Sequence, residues 1–171
     1  MGAERPIAVR VAEARWPAET AAAAALFREY GHYAAALGYD LGFQGFAAEL
    51  AGLPGPYARP RGLLLLAWSG AEAAGCAGYR PLAEGICEMK RLYVRPVFRG
   101  HGIGELLCRE LIREARACGY RAMRLDTGAA MHSARRLYAA LGFTPIPPYY
   151  ETPYETLCFE LSLIAPAETI R

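Results

Sequence analysis

The sequence has 171 residues, 54% of them apolar and 21% charged, an ordinary globular composition with length for one well-filled core and too little for two. A formal net charge of +2 is too small to indicate a polyanionic partner, and no apolar run approaches the roughly 20 residues of a membrane span. Five cysteines (Cys76, Cys87, Cys108, Cys118, Cys158) lie at irregular spacings without a C-x-x-C pair, which argues against a disulfide framework or a zinc site and for reduced thiols in a cytoplasm.

In chain order, "IAVRVAE" (7–13) alternates as a first strand, preceded by no basic start and apolar block of the signal-peptide kind. Pro17 then opens an alanine-rich helix with Leu26, Phe27, Tyr30, Ala34 and Leu37 at helical spacing and Gly38 as its stop. A shorter helix is expected over "GFQGFAAELAGL" (42–53), followed by a Pro/Gly-rich loop. "LLLLAWSG" and "AAGCAGYRPL" read as a hairpin around Gly70, and "ICEMKRLYV" (86–94) as a third strand stopped by Pro96. Within that strand the apolar phase slips: Cys87 and Met89 are apolar at odd positions, Leu92 and Val94 at even ones. A strand cannot change faces without an inserted residue, so a β-bulge is expected near Lys90 and Arg91, splaying this strand from a neighbour.

Next comes "RPVFRGHGIGELL" (95–107), in which Gly100, Gly102 and Gly104 alternate behind Arg99 at a helix entrance. Glycine costs roughly 1 kcal/mol against alanine inside a helix, so the cluster serves something other than helix stability. A helix start presents unpaired N–H groups and the positive end of the macrodipole, and glycines let a ligand approach closely, which makes phosphate the obvious occupant. A P-loop is excluded because the chain has no Gly-Lys pair, and the dinucleotide fingerprint fails at Glu105, where its third glycine belongs. A glycine turn serving only the strand-to-helix connection is the bland alternative. The helix itself carries Ile103, Leu106, Leu107, Leu111, Ala115 and Cys118 on one face and stops at Gly119. "RAMRLDT" (121–127) is a strand, "HSARRLYAALG" (132–142) a helix burying Ala134, Leu137, Tyr138 and Leu141, and "FTPIPPYY" and "ETLCFELSL" are closing strands around a tyrosine-rich loop. This order implies a mixed α/β sheet with helices on both faces.

The R-x-x-G-x-G pattern, preceded by "LYVRP" and followed by "LY..LGF", resembles the GNAT superfamily of N-acetyltransferases, over nearly the whole chain and most closely a bacterial branch. The resemblance implies a mixed, mostly antiparallel central sheet of about seven strands in a single domain over 1–171, with a core at about 6–163 and a short tail at 164–171. It implies acetyl-CoA as cofactor, with backbone groups of Leu92 and Val94, around Tyr93, pairing with pantetheine. The amides of Arg99, Gly100, His101, Gly102, Ile103 and Gly104 would wrap the pyrophosphate, and Met131, Ala134 and Tyr138 would complete the cofactor site. Met131 departs from the pattern, since many members carry asparagine there.

The implied reaction is direct attack of a primary amine on the thioester through a tetrahedral intermediate. An alkylammonium, of pKa about 10.4, must first lose a proton, and the departing thiolate, of pKa about 8.5, needs one. Tyr138 matches the family's frequent general acid, with a packed core tyrosine as the alternative. Glu88 is the candidate base, acting through water, against a solvated edge residue. Asp126 is a second candidate, equally suited to holding the substrate ammonium, and Lys90 lies nearer the position some members use. Tyr30, Phe43, Gln44, Tyr149, Tyr150, Glu151 and Tyr154 are on offer to the substrate, and Lys90 and Arg91 would suit a carboxylate. A small, amino-acid-like amine is therefore the expected partner, with a protein amine left open. A non-catalytic acyl-CoA sensor is the competing reading. The arginines of the glycine-led helix alternate with glutamates as a solvated face, so no nucleic-acid partner is expected, and no membrane partner either. The three histidines form no metal pattern, and a homodimer through the C-terminal strands is plausible by resemblance.

Overall fold

The computed structural model describes residues 7–165. Residue 6 of the expected core and most of the expected tail, 166–171, lie outside them. One seven-stranded sheet carries β1 (Arg10–Glu13), β2 (Leu63–Ser69), β3 (Glu72–Ala83), β4 (Ile86–Val94), β5 (Ala122–Gly128), β6 (Thr144–Ile146) and β7 (Thr156–Ser162) in the order β1-β2-β3-β4-β5-β7-β6. Every pairing is antiparallel except β4 with β5.

The unbroken apolar run of β2 reflects burial on both faces. Its odd residues Leu63, Leu65 and Ala67 join the core under α3 (Ile103–Ala117) and α4 (His132–Ala140), whereas Leu64 and Leu66 pack with Leu26 and Phe27 of α1 (Thr20–Ala36) on the opposite face. No helix among the described residues is long and apolar enough to cross a membrane.

Several boundaries differ from expectation for local reasons. Pro17 lies in a turn before α1, closed by Thr20 N–H to Pro17 O (3.1 Å) and by the Glu19 carboxylate accepting Arg15 N–H (2.8 Å), so the helix starts later. Leu37 caps the end of α1 and is exposed. The second helix splits: Leu41–Gln44 form a 3₁₀ turn, Gly45 takes φ +71°, and only Phe46–Ala51 continue as α2. On α3 the buried stripe runs through Ile103, Leu107, Cys108, Leu111, Ile112 and Ala115, leaving Leu106 and Cys118 exposed.

The bulge falls where the phase slip put it. Cys76 pairs with Tyr93 but Gly78 with Lys90, so three steps on β4 face two on β3, and Arg91 takes φ +62°. Parallel pairing of β4 with β5 ends at Glu88 with Arg124, and beyond it the two strands part.

Candidate active site

The gap between the parted strands opens into a cavity of about 460 Å³ that runs from the glycine entrance of α3 to the floor of the sheet at Lys90 and Asp126. Its β4 wall exposes backbone that pairs with no strand on that side. Arg95 N–H donates to Ala74 O of β3 (2.9 Å), so by strand alternation Tyr93 also faces β3, while Leu92 and Val94 turn their backbone groups into the gap. Val94 O there accepts Arg99 Nε at 2.9 Å, and the Arg99 guanidinium lies over the rings of Tyr33 (5.2 Å) and Tyr93 (5.7 Å).

At the entrance, Gly100 (φ +82°) and Gly102 (φ +76°) hold left-handed conformations that disfavour any side chain, and nothing lies within 4 Å of where a Cβ would be. Gly102 is the N-cap of α3 and makes no side-chain cap. Among the described residues, the backbone N–H groups of Gly100, His101, Gly102, Ile103, Gly104 and Glu105 have no acceptor in the protein. A plain helix start leaves four such donors; here six follow in sequence, and all but His101 belong to residues lining the cavity. His101 is exposed beside it.

Opposite β4, α4 presents Ala134, Leu137 and Tyr138 to the cavity. Tyr138 is buried against Phe143 (centroids 5.8 Å), yet among the described residues no group hydrogen-bonds its hydroxyl. Burial pushes its pKa well above the usual phenol value, so the ring stays protonated. Met131, the N-cap of α4, accepts a weak Thr127 Oγ1 hydrogen bond at Sδ (3.6 Å) and contributes an apolar surface.

The floor is polar and closed on itself. Lys90 Nζ reaches Asp126 Oδ1 (3.2 Å) and Gln44 Oε1 (3.3 Å), and Tyr150 donates its hydroxyl to Asp126 Oδ2 (2.6 Å). Burial would raise the Asp126 pKa, but the Lys90 charge and the hydrogen bonds from Tyr150 and Lys90 outweigh it, and the net shift is downward. Arg91 donates to Glu49 of α2 (Nε, 2.8 Å) and to Gln44 (Nη1, 3.0 Å), with its guanidinium between Tyr30 (5.7 Å) and Phe46 (5.1 Å).

Two expectations need correcting at this floor. Glu88 is neither a solvated edge residue nor a lining residue: it is 3% exposed, because Arg80 of β3 (Nε to Oε1, 3.1 Å) and the Tyr149 hydroxyl (to Oε2, 2.7 Å) close over it. Tyr150 does not border the cavity and touches it only through Asp126.

Tyr30 and Phe43 do line the cavity, as do Gln44 and Tyr154. Sequence reading missed Tyr33 and Tyr39. Tyr33 stands three residues after Tyr30, on one helix face, which is a usable signal. Tyr39 follows the helix stop, and only the fold puts its hydroxyl on Ala130 N–H (3.1 Å) and its ring 2.4 Å from where a Gly128 Cβ would be.

Residues 28–143 match the family model of the acetyltransferase (GNAT) family. The chain is 40% identical over 129 residues to an uncharacterized N-acetyltransferase of Schizosaccharomyces pombe, covering 74% of this chain and 79% of that protein. Among solved structures, the PaiA N-acetyltransferase of Thermoplasma acidophilum in complex with coenzyme A superposes with a TM-score of 0.72 at 17% identity, covering 91% and 99% of the two chains. A GNAT family acetyltransferase of Elizabethkingia anophelis with acetyl-CoA bound gives 0.52 at 24% identity, covering 59% and 76%.

Proposed function

The chain belongs to the acetyltransferase (GNAT) family, and on that premise we propose that it is an acetyl-CoA-dependent N-acetyltransferase acting, as one domain, on the primary amine of a small molecule. The observation that carries the reading is the run of six free amides from Gly100 to Glu105, opening onto the cavity that also holds Tyr138 and Asp126. Amides in series at a helix N-terminus, with Arg99 beside them, are the donor set a diphosphate requires, so these residues fit coenzyme A. When bound, acetyl-CoA supplies an acetyl thioester.

The backbone groups of Leu92 and Val94 would hold the pantetheine arm, and an N–H on that stretch would be the donor available to a developing oxyanion. Tyr138, protonated and without a partner among the described residues, would supply the proton that a thiolate leaving group needs. Asp126, kept ionised by Lys90, holds the incoming ammonium; with its pKa lowered it binds that group rather than deprotonating it. The bound ammonium therefore loses its proton to water before it attacks, and the rate rises with pH toward the amine pKa.

The enclosure of Glu88 favours a second reading, a coenzyme A-binding module without turnover, because it removes the carboxylate expected to serve as base. Two measurements separate these readings. Acetyl-CoA at 100 times its Kd is expected to add about 2.7 kcal/mol of stability under either one, and absence of a thermal shift overturns both. Thiol release with an amine panel then supports the enzyme, and binding with no release leaves the sensor.

A further inference from the structure

We infer that the acceptor has an aromatic body and no carboxylate beside its amine; this rests on the acetyltransferase reading of the cavity. The charge argument begins with what the floor still has free. Arg91, with its side chain 2% exposed, spends Nε and Nη2 on Glu49 and Nη1 on Gln44. Lys90, at 6%, spends Nζ on Asp126 and Gln44, with Glu88 at 4.0 Å. Three of the five N–H donors of Arg91 and two of the three of Lys90 are thus used, and each cation already has a carboxylate partner, Glu49 or Asp126.

Asp126 uses one hydrogen bond on each oxygen, and a carboxylate has about four lone-pair sites. It borders the cavity, so an added ammonium finds a partner there. An added carboxylate meets Lys90 and Arg91 only beside the carboxylates already paired with them, so its like charge falls next to Asp126, and the neutral amide of Gln44 cannot offset the desolvation of a charge.

Three aromatic rings line the same cavity as Asp126. Tyr154, from the β6–β7 connection, packs edge-on against both Tyr39 and Phe43 at 5.6 Å, and its hydroxyl accepts Asp40 N–H (3.0 Å). All three rings line the cavity and tie the α1–α2 connection to the opposite side of the gap. Such rings pack a flat apolar body and attract a cation at the same time.

The test uses matched probes titrated calorimetrically into protein saturated with coenzyme A, with thiol release from acetyl-CoA measured in parallel. Phenethylamine is expected to bind about tenfold or more tightly than phenylalanine, which differs by one carboxylate, and phenylalaninamide is expected to recover that loss. Isoamylamine is expected to bind more weakly than phenethylamine. Phe43→Ala and Tyr154→Ala are each expected to weaken phenethylamine about fivefold, with the Kd for coenzyme A within about twofold of the parent.

Phenylalanine equal to or better than phenethylamine overturns the charge argument. So does phenylalaninamide as poor as phenylalanine, since bulk would then explain the loss. Isoamylamine equal to phenethylamine overturns the aromatic argument, and binding by none of the probes overturns both. The expected binding order without thiol release would sink the acetyltransferase reading while upholding the amine site. Thiol release favouring the amino acids would do the reverse.

Discussion

The two ends of the cavity are opposites. At the start of α3, six consecutive N–H groups have no acceptor among the described residues, whereas on the floor Lys90, Arg91, Glu88 and Asp126 are partnered among themselves and with Gln44, Glu49, Tyr149 and Tyr150. An end left unsatisfied is a place for a ligand to complete. An end satisfied internally holds a shape and sets which charges the ligand can carry. Under the proposed function, the same contrast would separate binding of the cofactor from choice of the acceptor.

Breaking the satisfied end has the largest expected effect. Arg91→Met leaves Glu49 buried without its bidentate partner and is expected to cost about 3–5 kcal/mol, read from urea unfolding. A loss under 1 kcal/mol would mean that Arg80 and the Tyr57 hydroxyl, which also reach Glu49, satisfy it without Arg91. Next comes Tyr138→Phe, for which turnover is expected to fall about 100-fold with the Kd for coenzyme A within about twofold. Because burial raises this phenol, the parent rate should climb with pH and show no descending limb below pH of about 10. A descending limb near pH 8 that disappears in Tyr138→Phe would contradict the burial argument.

At the unsatisfied end, Gly102→Val forces a β-branched residue into the left-handed region at a cost of about 1–2 kcal/mol. Coenzyme A affinity is expected to drop about tenfold, since the loop must give up the conformation that aims its amides; unchanged affinity would show that those amides are not the grip. The smallest effect is expected of Met131→Asn. Helix α4 has no side-chain cap at this residue, so an asparagine would add about 1 kcal/mol, but it removes a buried side chain packed with Ala34 and Leu41 at a cost of about 1.5–3 kcal/mol, and the expected net outcome is a Tm lowered by a few degrees.

The glycine entrance was readable in one dimension because everything it needs is consecutive: Gly100 and Gly102 for φ, the following amides for donors, Arg99 for charge. The bulge was readable for the same reason, as a slip of apolar phase inside nine residues of one strand. The fate of Glu88 was not. Its enclosure depends on Arg80, one strand away, and on Tyr149, sixty-one residues later, and nothing near it in sequence announces either. Arg91 was misjudged similarly, as a free cation, because Glu49 reaches it from a helix that buries none of its residues fully and so leaves a faint pattern.

Periodicity, glycine placement and apolar phase are local properties of the chain, and they were enough to specify seven strands, the helices between them, a bulge near Lys90 and Arg91 and the glycine-led start of α3. Which charges cancel on the floor, which tyrosines roof the gap and which carboxylate stays open to the cavity were settled by packing between segments far apart in the chain. Pairing energies between buried charges depend on distances of a few ångströms in a dry environment, and such distances exist only once the sheet has closed.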